Sequence, residues 1–552
     1  MYWIAFLEEV LIMAQTPIKV RKAALQHNLA EHAPERIGRG RKVFGTTMLV
    51  MAVLLVLVSV VSMSSKNSSP TQASTSSANP SFLPAPQIPS GSGVPTAVNM
   101  GMPGSPTSIT SLQAPLTAPH VDQFTLVAEN SIITLSPNTK IAAWTFNGAS
   151  PASLRVHQGD LVVVTVVNHL SFGITIHWHG INSFNSADGV AGVTQDAIKH
   201  GQTYIYRFIP PEAGTFWFHA HQLAADETAG GLFGKLIVDP PTPTIHVDVD
   251  DTVTLHLWNG ANNQELFSID DALQTLKEAA QPGQWVRLRV IETSNTDSSI
   301  PHLVTLVGAP FQVISLDGRD LNGPQWLNTV PVPLGTAQRA DLLFQMPAHG
   351  SVSLITANDQ DNNQHYQRFP NIVFGQGTAP TTLPAVTKWF DLTTYGQPAS
   401  TPITPQSAFN LNYTVDLNNQ MGTSLGRNTM TYTMNGKVFP YTGMIMVKYG
   451  QLVKIQLVNQ SDLYHPIHLH GHVFTVLDVN GKPLTGSPVR LDTVLVQPHT
   501  TVDIGFVANN PGIWMIHCHN FLHANFGMDM MIDYYGYSTP YTVGSASGNF
   551  PD

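Results

Sequence analysis

The chain contains a single cysteine, Cys518, which lies between two histidines in a short run of potential metal ligands. His517, Cys518 and His519 are followed by His523 and Met528, five and ten residues after the cysteine. A lone thiol cannot form a disulfide within the chain, so Cys518 is either a packed apolar side chain or a ligand or nucleophile. A thiolate, two imidazoles and a distant thioether form the donor set of blue-copper electron-transfer sites. The run therefore predicts a mononuclear copper site that needs one further histidine from elsewhere.

Four His-X-His pairs supply more imidazoles than one metal ion can bind. In a β-strand, residues i and i+2 point to the same face, so each pair directs two imidazoles into one space. One isolated pair could equally be explained by packing, whereas four pairs beside the cysteine run favour metal binding. The sequence therefore predicts a multinuclear copper cluster in addition to the mononuclear site. The pairs are His177/His179, His219/His221, His468/His470 and His517/His519.

The pairs belong to an internal repeat. Asn168 and His177 match Asn459 and His468 at a constant offset of 291 residues. A middle copy around residues 308–318 matches the third copy at an offset of 163. A period of this length is well above that of solenoid repeats, so the copies are interpreted as three tandem domains.

The three copies differ in their potential ligands. The first copy keeps its histidine pairs but has Ala220 at the position of Cys518. The middle copy has Thr305 and Val307 in place of a histidine pair, and its His302 has no thiol beside it and is predicted to be structural. We therefore expect the mononuclear site in the third copy and a cluster shared by the first and third copies.

Each copy is predicted to be an all-β sandwich. Runs of β-branched residues bounded by glycine and asparagine, such as 161–167 and 452–458, are typical of strands. One short helix is expected, at about 270–280. A sandwich of roughly 100–150 residues has an ordinary domain size. The three domains are assigned to residues 120–241, 242–385 and 386–552.

The four histidine clusters, in this order and with this spacing, resemble those of the multicopper oxidase family, in its three-domain, laccase-like bacterial type. The resemblance covers about residues 118–532. It implies three tandem cupredoxin-like Greek-key β-sandwich domains, of which the second lacks copper and the third holds the type 1 copper. It also implies four copper ions per chain: one type 1, one type 2 and a type 3 pair.

The resemblance assigns ligand roles by motif position. His465, Cys518 and His523 would bind the type 1 copper, with Met528 as its weak axial ligand. His177 and His468 would hold the type 2 copper. The type 3 pair would be held by His179, His219, His221, His470, His517 and His519.

Two catalytic roles are also implied. His523 resembles the exposed type 1 ligand of the family, so substrate electrons are expected to enter at its edge. Asp188 resembles the acidic residue that the family places near the cluster, where it would supply protons. Many relatives also have a glutamate beside the second type 1 histidine, whereas this chain has Ala524, so that proton route is not carried over.

The N-terminal part predicts attachment to a membrane. Residues 43–65 are uncharged and approach the ~20 apolar residues needed to span a bilayer. Seven Lys and Arg residues precede them and only Lys66 follows closely, which puts the leader, 1–42, in the cytoplasm and the copper domains outside. We expect an uncleaved anchor; cleavage would instead give a secreted protein. The Ser/Pro-rich residues 66–119 are predicted to be a disordered linker.

The charge composition restricts the partners. Charged residues make up 11% of the chain and its net charge is −10, which argues against nucleic acids and other polyanions as partners. A low carboxylate content also suggests adaptation to an acidic exterior. We expect a monomer that takes a small reducing substrate and O₂.

The sequence is compatible with two classes of reducing substrate. Phenols and aromatic amines are favoured, and the alternative is a metallo-oxidase acting on Cu(I), Fe(II) or Mn(II) in metal detoxification. Cuprous oxidases often carry a Met-rich insertion, whereas the methionines here are scattered over strand positions and predicted to lie in the core. A copper-binding or assembly protein with an inactive scaffold is disfavoured by the complete ligand set, and a two-domain nitrite reductase by the three copies. The methionines concerned are Met430, Met434, Met444 and Met446.

Overall fold

The computed structural model describes residues 82–551, except 261–263, 295–299, 360–365, 369–370, 378–387 and 425. The predicted leader (1–42), the predicted anchor (43–65) and the first part of the predicted linker (66–81) lie outside the described residues. Among the described residues, no helix is both long enough and apolar enough to cross a membrane. The membrane anchor stays a prediction.

The first region of the fold, residues 121–239, consists of two four-stranded sheets around one apolar core. The strands up to residue 239 are β1 (Thr107–Ser108), β2 (Val121–Ser136), β3 (Thr139–Phe146), β4 (Ala152–His157), β5 (Leu161–Asn168), β6 (Ile176–His177), β7 (Thr203–Phe208), β8 (Gly214–Ala220) and β9 (Phe233–Asp239). The sheets have the strand orders β3-β2-β5-β7 and β4-β9-β8-β6. Buried and exposed side chains alternate along β4, as in a strand with one face on a core. Buried residues of both sheets, such as Val164 and Phe218, pack in one cluster.

The middle region, residues 249–375, also contains two sheets. Its strands are β10 (Val249–Asn259), β11 (Glu265–Ile269), β12 (Leu276–Glu278), β13 (Trp285–Glu292), β14 (His302–Val307), β15 (Phe311–Leu316), β16 (Arg319–Asp320), β17 (Val332–Leu334), β18 (Arg339–Gln345), β19 (Ser351–Asp359), β20 (Tyr366–Arg368) and β21 (Ile372–Gly375). The strand orders are β11-β10-β13-β18-β15-β16 and β12-β21-β19-β14-β17, with β20 on β19. His302, predicted to be structural, is buried beside the carboxylate of Glu292.

The third region, residues 411–538, repeats this arrangement. Its strands are β22 (Leu411–Ser424), β23 (Arg427–Met434), β24 (Met444–Val447), β25 (Leu452–Asn459), β26 (His465–Leu469), β27 (Phe474–Val479), β28 (Lys482–Pro483), β29 (Arg490–Leu491), β30 (Thr493–Val496), β31 (Thr501–Val507), β32 (Ile513–Cys518), β33 (Asp529–Tyr534) and β34 (Tyr537–Ser538). One sheet has the order β23-β22-β25-β31-β27-β28, with β29 on β27, and the other β24-β33-β32-β26-β30.

The repeat seen in the sequence has a structural basis. In each region a long strand pairs in parallel with a later strand: β2 with β5, β10 with β13, and β22 with β25. Asn168 ends β5 and its side-chain amide donates to the carbonyls of Phe172 and Ile198. Asn459 ends β25 and donates in the same way to the carbonyl of Leu463. Both asparagines therefore fix the loop that leads into a histidine-bearing strand.

Helices are few, and the prediction of an all-β fold is confirmed. The described residues contain two short α-helices, α1 (Ala224–Ala229) and α2 (Phe521–Asn525), and two 3₁₀ turns, Ile109–Ser111 and Asn185–Ala187. The predicted helix at 270–280 was wrong. Asp270 and Asp271 adopt left-handed backbone angles, with φ of 45° and 61°, and the chain then forms β12, which pairs with β21. Sheet pairing overrides the local helix propensity of this segment.

The N-terminal segment, residues 82–119, is folded against the first and third regions, so the prediction of a disordered linker was wrong for this part. β1 pairs in parallel with β34, and the Val98 N–H donates to the Val543 carbonyl at 2.8 Å. Met100 and Ile109 are buried in an apolar cluster with residues of β32 and β33. The segment is too polar to form its own core, but the rest of the chain buries its few apolar side chains.

The methionines expected in the core differ in burial. Met434 is fully buried and Met444 and Met446 are half-buried, whereas Met430 is 38% exposed. The prediction of a core position was therefore wrong for Met430. It lies opposite Met421 in the β22–β23 hairpin, and Met421 is 66% exposed.

Candidate copper centres

The predicted mononuclear site is assembled from two strands and one short helix of the third region. His465 begins β26, Cys518 ends β32 and His523 lies in α2. The Cys518 Sγ lies 3.7 Å from His465 Nδ1 and 3.5 Å from His523 Nδ1, and the two Nδ1 atoms are 3.1 Å apart. All three side chains are fully buried. The structure thus brings one thiol and two imidazoles together around a single point.

Local hydrogen bonds after Cys518 place His523 and Met528 beside the cysteine. Asn520 caps α2 by accepting hydrogen bonds from the backbone N–H groups of Leu522 and His523, as a helix N-cap residue does. Met528 is held by its N–H, which donates to the His523 carbonyl, and by its carbonyl, which accepts from the Cys518 N–H, both at 3.0 Å. The predicted axial residue is therefore buried directly beside the thiol strand.

The two imidazoles of this site are held as neutral ligands. Burial lowers the pKa of His465 to about 3. Burial also lowers the pKa of His523 well below its ordinary value, with a smaller contribution from His465. The outer nitrogen of His465, Nε2, lies 2.8 Å from the Ser461 hydroxyl. An unprotonated Nδ1 on each ring has a lone pair available for a metal ion.

His523 is not exposed, so the prediction that its edge meets solvent was wrong. The side chain is fully buried. The ring of Tyr432, from β23, stacks on it with centroids 4.0 Å apart and an interplanar angle of 25°. Tyr432 is itself only 7% exposed. The β22–β23 hairpin therefore covers the ligand through which substrate electrons were expected to enter.

A second group of ligands begins with two facing imidazoles. The Nε2 atoms of His177, in β6, and His468, in β26, lie 3.4 Å apart. Each ring uses its Nδ1–H to donate to a backbone carbonyl at 2.8 Å, that of Asp188 for His177 and that of Asp492 for His468. Two Nε2 lone pairs therefore face each other in a buried space. A cation bound between the two nitrogens would accept both lone pairs and remove their repulsion. Imidazole nitrogen is a suitable ligand for copper.

Two histidine triads lie next to this pair, and each combines the first and third regions. Within each triad the candidate ligand atoms lie within 4.8 Å of one another. In one triad, His179 Nδ1 lies 3.2 Å from His519 Nε2, and the Nε2 of His219 is buried without a hydrogen-bond partner. In the other, the Nε2 atoms of His470 and His517 are 3.0 Å apart. The triads are His179/His219/His519 and His221/His470/His517.

Strand pairing explains why the two regions meet here. His177 pairs with His219 between β6 and β8, and His468 pairs with His517 between β26 and β32. Each His-X-His pair is thus aligned with a second pair of its own region, and the two sets of four imidazoles face each other.

The cluster is buried, and burial keeps most of its imidazoles neutral. Burial, followed by the charge of neighbouring histidines, lowers the pKa of His219, His221 and His470 well below the ordinary value. Burial lowers the pKa of His517 to about 3. The outer nitrogens of several of these rings are hydrogen-bonded, such as His470 Nδ1 to Asp188 and His517 Nδ1 to the Cys518 carbonyl, and neutral imidazoles held in this way form a site fitted to metal ions.

Asp188 lies beside the cluster, where the sequence predicts an acidic residue. Its Oδ2 is 3.0 Å from His470 Nδ1 and its Oδ1 is 3.3 Å from His177 Nδ1. The following glycine is required by the close approach of two chains: a Cβ on Gly189 would lie 1.8 Å from the Ile176 carbonyl oxygen. Ala524 is buried next to His523 and offers no carboxylate, as its sequence position indicates.

Sequence reasoning missed a buried carboxylate, Asp492, on the other side of the cluster. Its Oδ1 lies 3.1 Å from His179 Nε2. Burial would raise the pKa of Asp492, but the guanidinium of Arg339 outweighs burial and holds this pKa well below its usual range. The contacts of Asp492 join residues 313 and 153 positions apart, and no local motif marks them.

The comparisons with known proteins agree with this geometry. Residues 128–242 and 401–535 each match a family model described as multicopper oxidase, and these two segments contain all four histidine clusters. The protein described as multicopper oxidase MmcO, from Mycobacterium tuberculosis, is 28% identical over 441 residues, which are 71% of this chain and 83% of that protein. Laccase-1 from Botryotinia fuckeliana is 27% identical over 457 residues, which are 73% of this chain and 80% of that protein.

A solved structure gives the same result. The crystal structure of a multi-copper oxidase from Pseudomonas thermotolerans aligns with a TM-score of 0.61 and 26% sequence identity, and the alignment covers 75% of this chain and 99% of that one. The likeness extends to the cupredoxin-like β-sandwich architecture. With the facing imidazoles and the buried thiol site, these matches show that the chain belongs to the multicopper oxidase family, a family of copper-containing oxidoreductases that use O₂.

Proposed function

We propose that the protein is an extracytoplasmic, laccase-like oxidase that takes single electrons from phenols or aromatic amines and reduces O₂ to water. The observation that carries the proposal is the continuity of the two ligand groups. Cys518 belongs to the mononuclear site, and its covalent neighbours His517 and His519 belong to the two triads. One strand end thus joins an electron-entry site to a cluster able to collect several electrons.

Four copper ions fit the ligand groups. His465, Cys518 and His523 would hold a type 1 copper, with Met528 as axial ligand, and His177 and His468 a type 2 copper. The two triads would hold the type 3 pair. When bound, copper supplies the one-electron redox chemistry, and the protein supplies ligands, burial and access. Asp188, in contact with both His470 and His177, is proposed to hold the protons that O₂ reduction consumes.

A cavity beside α2 suits a small aromatic substrate. It has a volume of about 750 Å³ and is lined in part by Leu522, Asn525 and Phe526 of the His523 helix region. Asp226 of α1 and Arg427 of β23 also line it. Its lining is more polar than that of a typical ligand site, but Leu522 and Phe526 offer apolar contacts for a ring and the charged side chains offer hydrogen-bond partners for a hydroxyl. A phenol bound here would lie next to the residues on either side of His523.

Copper content, colour and oxygen consumption test the proposal together. The purified, copper-loaded protein is expected to contain four copper ions per chain, to show an intense thiolate-to-copper absorption band and to consume O₂ with a phenolic substrate. The Cys518→Ser variant should lose the band and the oxygen consumption. A copper-loaded wild-type protein that consumes no O₂ with any reducing substrate would refute the enzymatic proposal.

Oxidation of metal ions is the second candidate, and two observations favour it. The same cavity is lined by the carboxylates of Asp226 and Glu265, and carboxylate oxygens suit Mn(II) and other hard cations. The exposed pair Met421 and Met430 offers soft thioethers to Cu(I). Rates with a phenol, Fe(II), Mn(II) and Cu(I) separate the candidates. If metal ions are the substrates, Asp226→Asn should raise KM for Fe(II) or Mn(II) much more than it changes KM for a phenol.

The extracytoplasmic location is part of the proposal and is supported by the basic leader and apolar segment of the sequence. Fractionation of cells that produce the full chain tests it: the oxidase should be found with the membrane and be released by protease added from outside. Recovery in the cytosol would contradict it.

A further inference from the structure

The carboxylate of Asp492 is clamped by two arginines of the middle region. Arg339 donates from Nη1 to Oδ1 at 2.8 Å and from Nη2 to Oδ2 at 2.6 Å. Arg319 donates from Nη1 to Oδ2 at 2.5 Å. The three side chains are buried. A bidentate arginine–carboxylate pair fixes both the position and the plane of the carboxylate.

The clamped carboxylate contacts the copper-ligand histidines. Asp492 Oδ1 accepts a hydrogen bond from His179 Nε2 at 3.1 Å, so the Nδ1 of His179 is left to face its triad. The backbone carbonyl of Asp492 accepts from His468 Nδ1 at 2.8 Å. The next hydroxyl, that of Thr493, lies 3.1 Å from His179 Nε2 and 3.2 Å from His468 Nδ1. One dipeptide therefore sets the orientation of two ligands from different regions.

A second carboxylate completes the clamp. Asp317, in the turn before β16, accepts from the Arg339 backbone N–H at Oδ1 and from the Thr493 N–H at Oδ2, both at 3.0 Å. Arg319 also donates from Nη2 to the Gly180 carbonyl at 2.8 Å. A Cβ on Gly180 would lie 2.6 Å from both Arg339 Nη2 and Asp492 Oδ2. The middle region thus packs its charges tightly against the first and third regions.

We propose that Arg319 and Arg339 are positioning residues for the copper cluster, and that the middle region, which has no histidine pair of its own, acts on the cluster through them. Ligand histidines commonly donate their outer N–H to a carboxylate, which fixes the ring and strengthens it as a ligand. Here that carboxylate, Asp492, is held by two arginines of the middle region. The inference rests on the proposed function, because it concerns the same cluster.

The mononuclear site serves as an internal reference for testing this proposal. In Arg319→Gln, the copper affinity of the cluster should fall, by up to the roughly 10- to 100-fold that follows a change of a ligand's direct partner, here Asp492. The electron paramagnetic resonance signal of the type 2 copper should change in the same variant. The blue band of the Cys518 site should stay at wild-type intensity. Arg319→Lys, which keeps the charge toward Asp492, should recover part of the affinity.

Arg287→Gln is the matched control. Arg287 binds Asp250 through two hydrogen bonds of 2.7 and 2.8 Å, and Asp250 also binds Arg155 of the first region. This network also joins the first and middle regions. Its carboxylate, Asp250, accepts hydrogen bonds from arginines and, in the described part of the chain, contacts none of the candidate copper ligands. The control should leave both the type 2 signal and the blue band unchanged.

Two results would overturn the proposal: unchanged cluster affinity and type 2 signal in Arg319→Gln, or equal loss of the blue band and the cluster, which indicates general unfolding. If Arg319→Gln does not fold, Asp492→Asn, which keeps the side-chain shape, is measured by the same readouts. A wild-type protein that binds four copper ions without consuming O₂ would refute the proposed function alone, since the clamp is tested by affinity and spectra.

Discussion

Met528 is the axial ligand candidate of the thiolate site, and its thioether should lower the potential of that site. The Met528 side chain is fully buried, and the Met528 carbonyl accepts a hydrogen bond from the Cys518 N–H. A weak axial donor tunes the potential of a blue-copper centre. Met528→Leu removes the donor and nearly conserves volume, so we expect a higher reduction potential and a stability loss below about 1.5 kcal/mol. Redox titration of the blue band measures the potential. An unchanged value would contradict the axial role, and Met434→Leu, also buried, is the control.

Tyr432 separates His523 from solvent, and its ring should control how substrates reach the site. Tyr432→Phe keeps the stacked ring, so we expect wild-type KM values. Tyr432→Ala opens the site, and it should cost about 3 kcal/mol of stability, as for other large-to-small changes of buried aromatic residues. It should also change KM for bulky phenols more than for Fe(II). Denaturation curves and steady-state kinetics measure both. Identical KM values in the Ala and Phe variants would show that the ring does not control access.

The residues that chemistry requires were easier to predict than those that hold them. Cysteine, histidine and methionine at fixed spacing carry their own signal, and the structure brings His177, His468 and Cys518 into the expected groups. Tyr432 and Asp492 carry no such signal, because an aromatic or acidic residue in a strand is ordinary. Their roles arise from contacts made only after three regions of the chain have packed together.

At the scale of elements, the N-terminal segment should contribute to the stability of the third region. Ile109 is fully buried in the cluster that contains Met515 and Met531. Ile109→Ala should lower the free energy of unfolding by about 2–5 kcal/mol. Leu116 lies in the same segment but is 75% exposed, so Leu116→Ala should stay within about 0.5 kcal/mol of wild type. Chemical denaturation measures both. Equal values would contradict docking of the segment.

Strands could be predicted because their β-branched runs repeat, as in β5 and β25. The error at 270–280 had the opposite cause: its helix-forming residues are used in a turn and in pairing with β21. The error over residues 82–119 arose because composition indicates whether a segment can form its own core. It does not indicate whether another region, here β32 and β33, will bury the segment's apolar side chains.

For the whole molecule, buried ionisable groups make stability depend on pH in two opposite directions. The cluster histidines have lowered pKa values because of burial, so without copper they bind fewer protons folded than unfolded and oppose folding in acid. Buried carboxyls whose pKa is raised act in the opposite direction. Burial raises the pKa of Asp271 to about 7 and that of Asp533 to about 8. Copper keeps its histidine ligands unprotonated. In the copper-loaded protein, the carboxyls with raised pKa values should therefore contribute more than the histidines to the pH dependence of stability.

Asp533 allows this to be tested, since burial alone raises its pKa and both carboxyl oxygens are buried without a hydrogen-bond partner. The unfolded chain releases this proton near 3.8 and the folded chain near 8. Between these values the folded state binds more protons, so wild-type stability should fall as pH rises, by at most about 1.4 kcal/mol per pH unit. Asp533→Asn removes this slope, so the variant should gain stability relative to wild type from about pH 5 to 8.

Denaturation of both copper-loaded proteins at several pH values measures this difference, in which the pH dependence of copper release cancels. Asp391→Asn is the control. Partial burial would raise the pKa of Asp391, but hydrogen bonds from Thr393 outweigh it and lower the pKa. That carboxyl is ionised in both states throughout this range, so its variant should differ from wild type by a constant amount. A constant difference for Asp533→Asn as well would mean that Asp533 is ionised in the folded protein, and the expected advantage in an acidic exterior would lose its physical basis.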